Sequence, residues 1–461
     1  MTNERAITID NSNEKTFSDL DVVSKSSIGH SASDTAEVYE DSKDITLSDT
    51  ENEIGLPPVH HEEDQHDGGY GWFVVLGAFL VQVTSFGVMQ DYFEQNMFNN
   101  VANAAVNLSF VGTLAMVCLN SVSPIVQICV SVFGVRPVLI VGTIFVALGL
   151  EMAGFSTQIW HLYLTQGVVF GIGASCIYVA IMGIAPQWFA KRRGLALGII
   201  ASGSGIGGLI IPFVMTGING SLGFAWTYRI LGFICLFCDT IACLTVKERN
   251  PPAVRHRKKL SQIVNFTVLK DTNFVLFCIA SNVGLFGYFV PYFFLPSYAS
   301  YLGLSASQGS ALVAVSSACN FVGRVVTGIL ADRIGKVNTN LIFTAITALS
   351  CLLIWTFASN YGSLMAFSTI FGLTSGSYFA LISPITAYLL GMEKFPSGLS
   401  LLLVTNVIPV FGSNIASAIE AGVSSAPFFS YKMFSGVAYL IATIILVVLK
   451  LKLNRNPFAK V

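Results

Sequence analysis

Twelve apolar runs of membrane-spanning length follow one another along this chain, at about residues 71–93, 107–130, 137–155, 160–186, 194–217, 226–246, 273–298, 308–330, 338–358, 361–387, 397–419 and 431–450. About 20 apolar residues in a helix cross the roughly 30 Å hydrocarbon layer of a bilayer. Lipid offers no partner to a bare peptide group, so only helices and closed barrels span it, and runs this long select helices. The expected fold class is an all-α membrane protein with twelve transmembrane helices.

Charge is distributed accordingly. Only 11% of the 461 residues are charged, and 17 of the 26 acidic ones fall in positions 1–67. Residues 1–66, rich in Ser, Thr, Asp and Glu, bury too little apolar surface to offset ordering entropy, so a disordered acidic tail is expected there. The net charge of −1 provides no basic footprint for nucleic acid. All nine Cys lie in apolar runs, where thiols behave as small hydrophobes. Cys235 and Cys238 have redox spacing but sit inside a lipid-length segment. The six His include none beside a carboxylate or nucleophile in a buried run. No enzyme, metal site or cofactor is therefore expected.

Lys and Arg give the orientation. With the N-terminus inside, the outer loops at about 91–106, 156–159, 218–225, 299–307, 359–360 and 420–430 contain neither residue. Each inner connection has at least one: Arg136; Lys191, Arg192 and Arg193; the 247–271 linker; Arg333 and Lys336; Lys394. Both termini are expected in the cytoplasm. The linker, with KERNPPAVRHRKKL at 247–260, separates 67–246 from 272–452 and leaves 453–461 as a C-terminal tail. Two near-equal six-helix halves joined by a basic loop match a parallel-repeat transporter.

Gly328-Ile-Leu-Ala-Asp332-Arg333-Ile-Gly335-Lys336, between the eighth and ninth spans, resembles the major facilitator loop signature G-x-x-x-D-R-x-G-R/K. The corresponding stretch of the first half, Val132 to Pro137, lacks the acid. Asp67-Gly-Gly-Tyr-Gly-Trp72 opens the first span, and Trp188-Phe-Ala-Lys191-Arg192-Arg193-Gly-Leu-Ala-Leu-Gly198 opens the fifth. Together they resemble the two signatures of the monocarboxylate porter family. Phrases such as FGVMQDYFEQ, STQIWHLYLTQG and WTYRILGF resemble its fungal branch of monocarboxylate-transporter homologues. The resemblance implies the major facilitator fold, a plasma-membrane transporter (with a vacuolar or other internal membrane as alternative), and riboflavin as a substrate at least as strongly as a monocarboxylate. It also implies conformational or gating roles for Asp67, Lys191, Arg192, Arg193, Gly328, Asp332, Arg333 and Gly335.

Proton-coupled members of that family carry an Arg in the eighth span, an Asp one turn before it and a Lys late in the first span. Arg324 matches the Arg, but Asn320 stands where the Asp would be, and an ungapped match puts Gln90 at the Lys position. An amide cannot carry the coupling proton. The expectation is therefore a neutral or weakly charged solute, most simply riboflavin, moved by facilitated diffusion and alternating access. A proton-coupled monocarboxylate symporter is the alternative, and a non-transporting nutrient receptor is the alternative of another class.

An Arg in hydrocarbon costs about 2.5–3.5 kcal/mol or more and so normally faces a cavity. Arg324 and Asn320 share one helix face. A flat ring system would seek stacking faces and a few amide or hydroxyl partners. Tyr288, Tyr292 and Asn282 in the seventh span, Tyr378 in the tenth and Asn406 in the eleventh are the candidates for that role. Asp239 in the sixth span is a further one. Gly203, Gly205 and Gly208 form a G-x-G-x-x-G in mid-span, where no βαβ unit exists to make a dinucleotide site. Small residues there are expected to let a neighbouring helix approach closely.

Overall fold

The computed structural model describes residues 67–84, 104–249, 265–423, 426–456 and 459–461. The acidic tail, the interior of the basic linker and Gln90 lie outside them. The described elements are helices throughout: α1 (Gly71–Val83), α2 (Ala104–Ser121), α3 (Ser123–Phe133), α4 (Val135–Ala153), α5 (Ile159–Leu162), α6 (Phe170–Trp188), α7 (Arg193–Leu222), α8 (Phe224–Thr245), α9 (Thr272–Tyr301), α10 (Ala306–Ile334), α11 (Lys336–Leu349), α12 (Tyr361–Ser375), α13 (Ser377–Thr405), α14 (Gly412–Gly422) and α15 (Phe429–Leu453). Wider π-helical turns join α5 to α6 over Tyr163–Val169 and extend α11 over Ser350–Trp355.

Among the described residues, nine helical stretches are long and apolar enough to cross a membrane, and the α2–α3 pair, bent by 47°, makes a tenth. One of the nine, Tyr361–Gly422, is too long for a single crossing. Gly391, at φ 71°, breaks it into two passages, a conformation that side chains with a Cβ rarely adopt. α1 begins the first span. Pro137 lies in the first turn of α4, where a missing N–H costs nothing.

Sharp stops are built locally. Gly134 and Gly335, at φ 95° and 104°, turn the chain between consecutive helices. Asp271 caps α9 by accepting from the Asn273 and Phe274 amides at 2.8 and 3.2 Å. Capping boxes at Ser305–Gln308 and Asn360–Ser363 open α10 and α12.

The helices form two bundles. α4 packs on α6 and α8, and α1 on α7 and α8; in the second half, α9 packs on α15, and α10 on α12. The halves meet chiefly where α7 runs along α10, with α13 packed on α3, α6 and α7. Large apolar side chains such as Phe213, Phe237 and Phe357 remain exposed on the outer faces, the surface expected of a chain solvated by lipid.

Candidate functional site

Two regions lie along the line between the halves. The first is a seam at the end bearing Asp67, Lys191–Arg193 and Arg333, the basic end. Here α7 and α10 run antiparallel with their backbones almost touching. A Cβ on Gly194 would lie 2.7 Å from the Gly328 carbonyl, one on Gly198 2.6 Å from the Arg324 carbonyl, and one on Gly205 2.7 Å from the Phe321 amide. By Gly208 the nearest atom, Ser317 Oγ, is at an ordinary 3.7 Å, so the helices diverge away from the basic end. Gly203 and Gly207 turn the other way, against the backbone of α1 at Phe79 and Val83. The glycine stretch thus serves two packing partners.

Carboxylates tie this seam. Asp332 accepts from the Gly194 and Leu195 amides, both at 2.8 Å, so the second half caps the N-terminus of α7 in the first. Within the first half, Asp67 accepts from the Ala190 amide at 2.6 Å and the Lys191 amide at 2.8 Å, in the turn that leads into α7. Arg193 folds back on the Phe189 and Pro186 carbonyls at 3.0 and 3.3 Å. Gly335 turns tightly against Val461, whose carbonyl accepts from the Val337 amide at 2.9 Å. Asp67, Arg193, Gly328, Asp332 and Gly335 are thereby gathered around one helix start. Lys191 joins that cluster through its backbone amide, and the side chains of Lys191, Arg192 and Arg333 are exposed. Ser383 and Ser123 add hydrogen bonds between halves, to the Met182 and Ser400 carbonyls at 3.1 and 3.0 Å.

The second region is a cavity between the halves, reached by Ser204 of α7 and Arg324 of α10. Gln82, Asn120, Tyr178, Ser204 and Asp239 line it from the first half, and Tyr288, Phe289, Arg324, Tyr378, Phe379 and Asn406 from the second; most of the remaining wall is aliphatic.

Arg324 bridges the halves. It is 5% exposed, donates to the Ala201 carbonyl at 2.6 Å and to Ser204 Oγ, reaches Tyr288 Oη at 3.4 Å, and lies 4.9 Å from the centre of the Phe379 ring. Its Nε has no hydrogen-bond partner among the described residues. Tyr378 and Asn406 pair side chain to side chain, the amide nitrogen 2.8 Å from the hydroxyl.

Three of the expected binding residues do not line this cavity. Asn320 shares the face of Arg324 but turns into the packing with α12, its amide donating to the Gly372 carbonyl at 3.3 Å. Tyr292 packs behind Tyr288, the rings tilted with centres 5.4 Å apart, and edge-on against Phe371. Asn282 bonds the Cys278 carbonyl and Thr405 Oγ1 at 2.7 and 2.8 Å, a helix-to-helix tie. Conversely, Gln82, Asn120, Tyr178, Ser204 and Phe379 line the cavity without having been singled out in the sequence. Each is a polar or aromatic residue in an apolar run, a signal shared with many residues that face elsewhere. All nine cysteines are free thiols.

Known proteins place this arrangement. A transporter of Aspergillus flavus, "MFS transporter asaE", is 30% identical over 392 residues, covering 83% of this chain and 87% of the relative. The "Fujikurins efflux protein" of Gibberella fujikuroi is 30% identical over 400 residues, 84% of each chain. "Probable transporter MCH2" of Saccharomyces cerevisiae is 26% identical over 388 residues, 81% of this chain and 80% of the relative. In fold, the chain is similar to the E. coli fucose:proton symporter FucP, with TM-score 0.65 at 14% identity, covering 82% of this chain and 98% of that one. It is similar to the proton:xylose symporter XylE at TM-score 0.65 and 13% identity, over 82% and 94%. The Major Facilitator Superfamily profile matches residues 69–343 and 277–460, and with these relatives it shows that the chain belongs to that superfamily of membrane transporters.

Proposed function

We propose that this transporter moves a drug-sized, partly flat organic solute by alternating access, with riboflavin the first candidate. The cavity carries the reading. Its wall is mostly apolar with a few convergent polar groups, the composition of a site for a small organic molecule. Phe289, Phe379, Tyr178 and Tyr288 supply aromatic faces, and Arg324, Asn406 and Tyr378 supply a few polar groups. That composition suits a ring system with carbonyl acceptors and suits lactate poorly. The resemblance to fungal monocarboxylate-transporter homologues supports the same choice.

In the proposed cycle the basic linker 247–271 joins two six-helix halves that rock about the cavity. Asp332 releases the start of α7 as the basic end opens. The proposed setting is the plasma membrane, with both termini in the cytoplasm. Export of a natural product is the second reading, and the efflux names of relatives such as the Fujikurins protein favour it. Labelled riboflavin and labelled lactate, offered to cells expressing the chain, separate the readings. Riboflavin accumulation above control cells supports uptake, a deficit supports export, and movement of lactate alone overturns the proposal. Arg324→Ala is expected to abolish flux while leaving membrane expression intact; unchanged kinetics would remove Arg324 from the binding site.

A further inference from the structure

Asp239 is an ionisable group with no counter-charge beside it among the described residues. It lies in the middle of α8, 1% exposed, and neither carboxyl oxygen has a hydrogen-bond partner among the described residues. The surrounding contacts explain why. A Cβ on Gly77 would lie 3.0 Å from the Ala242 backbone, and Cys235 Sγ lies 3.8 Å from the Thr84 carbonyl. Asp239 sits between those two levels and so faces the Ala78–Val81 stretch of α1, which has no charged or titratable residue.

Among the described residues, the other elements packed on α8 add no cation at this level. α7 has no titratable residue after Arg193. On α4, Arg136 is bonded to the Val246 carbonyl at 2.9 Å and Glu151 lies beside Gly232, both away from the Asp239 level. On α8 itself the neighbours are the thiols of Cys235, Cys238 and Cys243, with Tyr228 and Arg229 at the far end. Arg324 also lines the cavity, with its Nη1 engaged by Ala201 and Ser204 and its Nη2 3.4 Å from Tyr288 Oη.

An ionised carboxylate without donor or cation is strongly disfavoured in such a site, and a neutral carboxylic acid is tolerated. Asp239 nevertheless contributes to the cavity wall, with its oxygens covered. An organic cation cannot reach oxygens that are sealed, but a proton needs only transient water.

We propose that Asp239 is a proton-binding site of the carrier, occupied while α1 and α8 are closed over it and emptied when rearrangement of the cavity lets water in. The step is a simple transfer: water on one side of the membrane gives up a proton to the carboxylate, and water on the other side takes it back. A group that is dry in one conformation and wet in the other binds protons with different affinity in the two, so conformation and proton occupancy are linked. This deepens the alternating-access reading above. It also replaces the uncoupled movement expected from Asn320 and Gln90 with proton-linked movement through a different helix.

The test uses the full-length chain in liposomes, with the proton itself as first probe. Infrared difference spectra across a pH titration are expected to show a protonated-carboxyl C=O band that Asp239→Asn abolishes, Asp239→Glu displaces and Glu151→Gln leaves in place. In the second arm, the flux of labelled riboflavin is expected to change at least about fivefold on reversing an imposed pH gradient, and Asp239→Asn to erase that response. If riboflavin is not carried, the spectra still decide, so failure of the substrate reading remains separate. A band unaffected by Asp239→Asn, or a gradient response that survives it, overturns the proposal. If Asp239→Asn does not fold, Asp239→Glu decides through the displacement of its band.

Discussion

The seam and the cavity lie along the same pair of helices and are built from opposite materials. At the seam, α7 and α10 meet through glycine backbone, and the polar atoms that close it, the Gly194 and Leu195 amides and the Asp332 carboxylate, are all satisfied. At the cavity wall the same two helices meet through the side chains of Ser204 and Arg324, and Arg324 Nε is left without a partner among the described residues. A buried polar atom without a partner costs about 1–3 kcal/mol, so a solute that pairs with Arg324 Nε gains by doing so. The difference separates a surface made to fit itself from one made to fit something else.

That comparison is broken most severely by adding bulk to the seam. Gly198→Leu would drive a Cβ to 2.6 Å from the Arg324 carbonyl and force the bundles apart. Overpacking costs about 1–3 kcal/mol, enough to cut solute counterflow in proteoliposomes by roughly tenfold or more. Normal flux would show that close approach is dispensable. Next in size is Asp332→Asn, which keeps the shape of the α7 cap and removes its charge. A loss of about 1 kcal/mol from the closed seam corresponds to a roughly fivefold shift toward opening at the basic end. Thiol labelling of Ser383→Cys, read against the unmodified background, is expected to rise by that factor; an unchanged rate would mean that the cap does not hold the seam.

The cavity is expected to respond more gently. Tyr378→Phe strands the Asn406 amide, and the cost of about 1 kcal/mol should raise KM roughly fivefold with kcat little altered. A fall in kcat at constant KM would instead assign the pair to the conformational step. The smallest effect is expected of Arg192→Gln. Its side chain is exposed beside the seam, and such changes usually stay within about 0.5 kcal/mol. Flux should be unchanged, and a large loss would extend the seam to side chains that now lie outside it.

The seam could be read from the sequence, whereas most of the cavity could not. Close backbone approach leaves a direct trace, because only small residues permit it; hence the glycines of the fifth span and the Gly328–Lys336 loop pointed to contacts the structure contains. A cavity-facing residue leaves no comparable trace. In water, a helix declares its buried face by alternating apolar and polar sides, but a helix in lipid is apolar all round and loses that signal. Arg324 stood out because a charge in hydrocarbon is rare. Asn320, only one turn away, was indistinguishable by type from Asn406, yet Asn406 faces the cavity and Asn320 faces α12. Span positions were legible to within a few residues. The division of Tyr361–Gly422 depended on a single residue, Gly391, whose backbone angle no composition reveals.

The bond from Arg324 to the Ala201 carbonyl has a kinetic corollary. Any swing that separates the bundles at this level tears the guanidinium from its acceptor. A passenger bearing carbonyl oxygens supplies a replacement in transit, and a vacant carrier has only solvent to offer. Return journeys without cargo should therefore be the slow half of the cycle, and the protein should swap one passenger for another faster than it builds a net gradient.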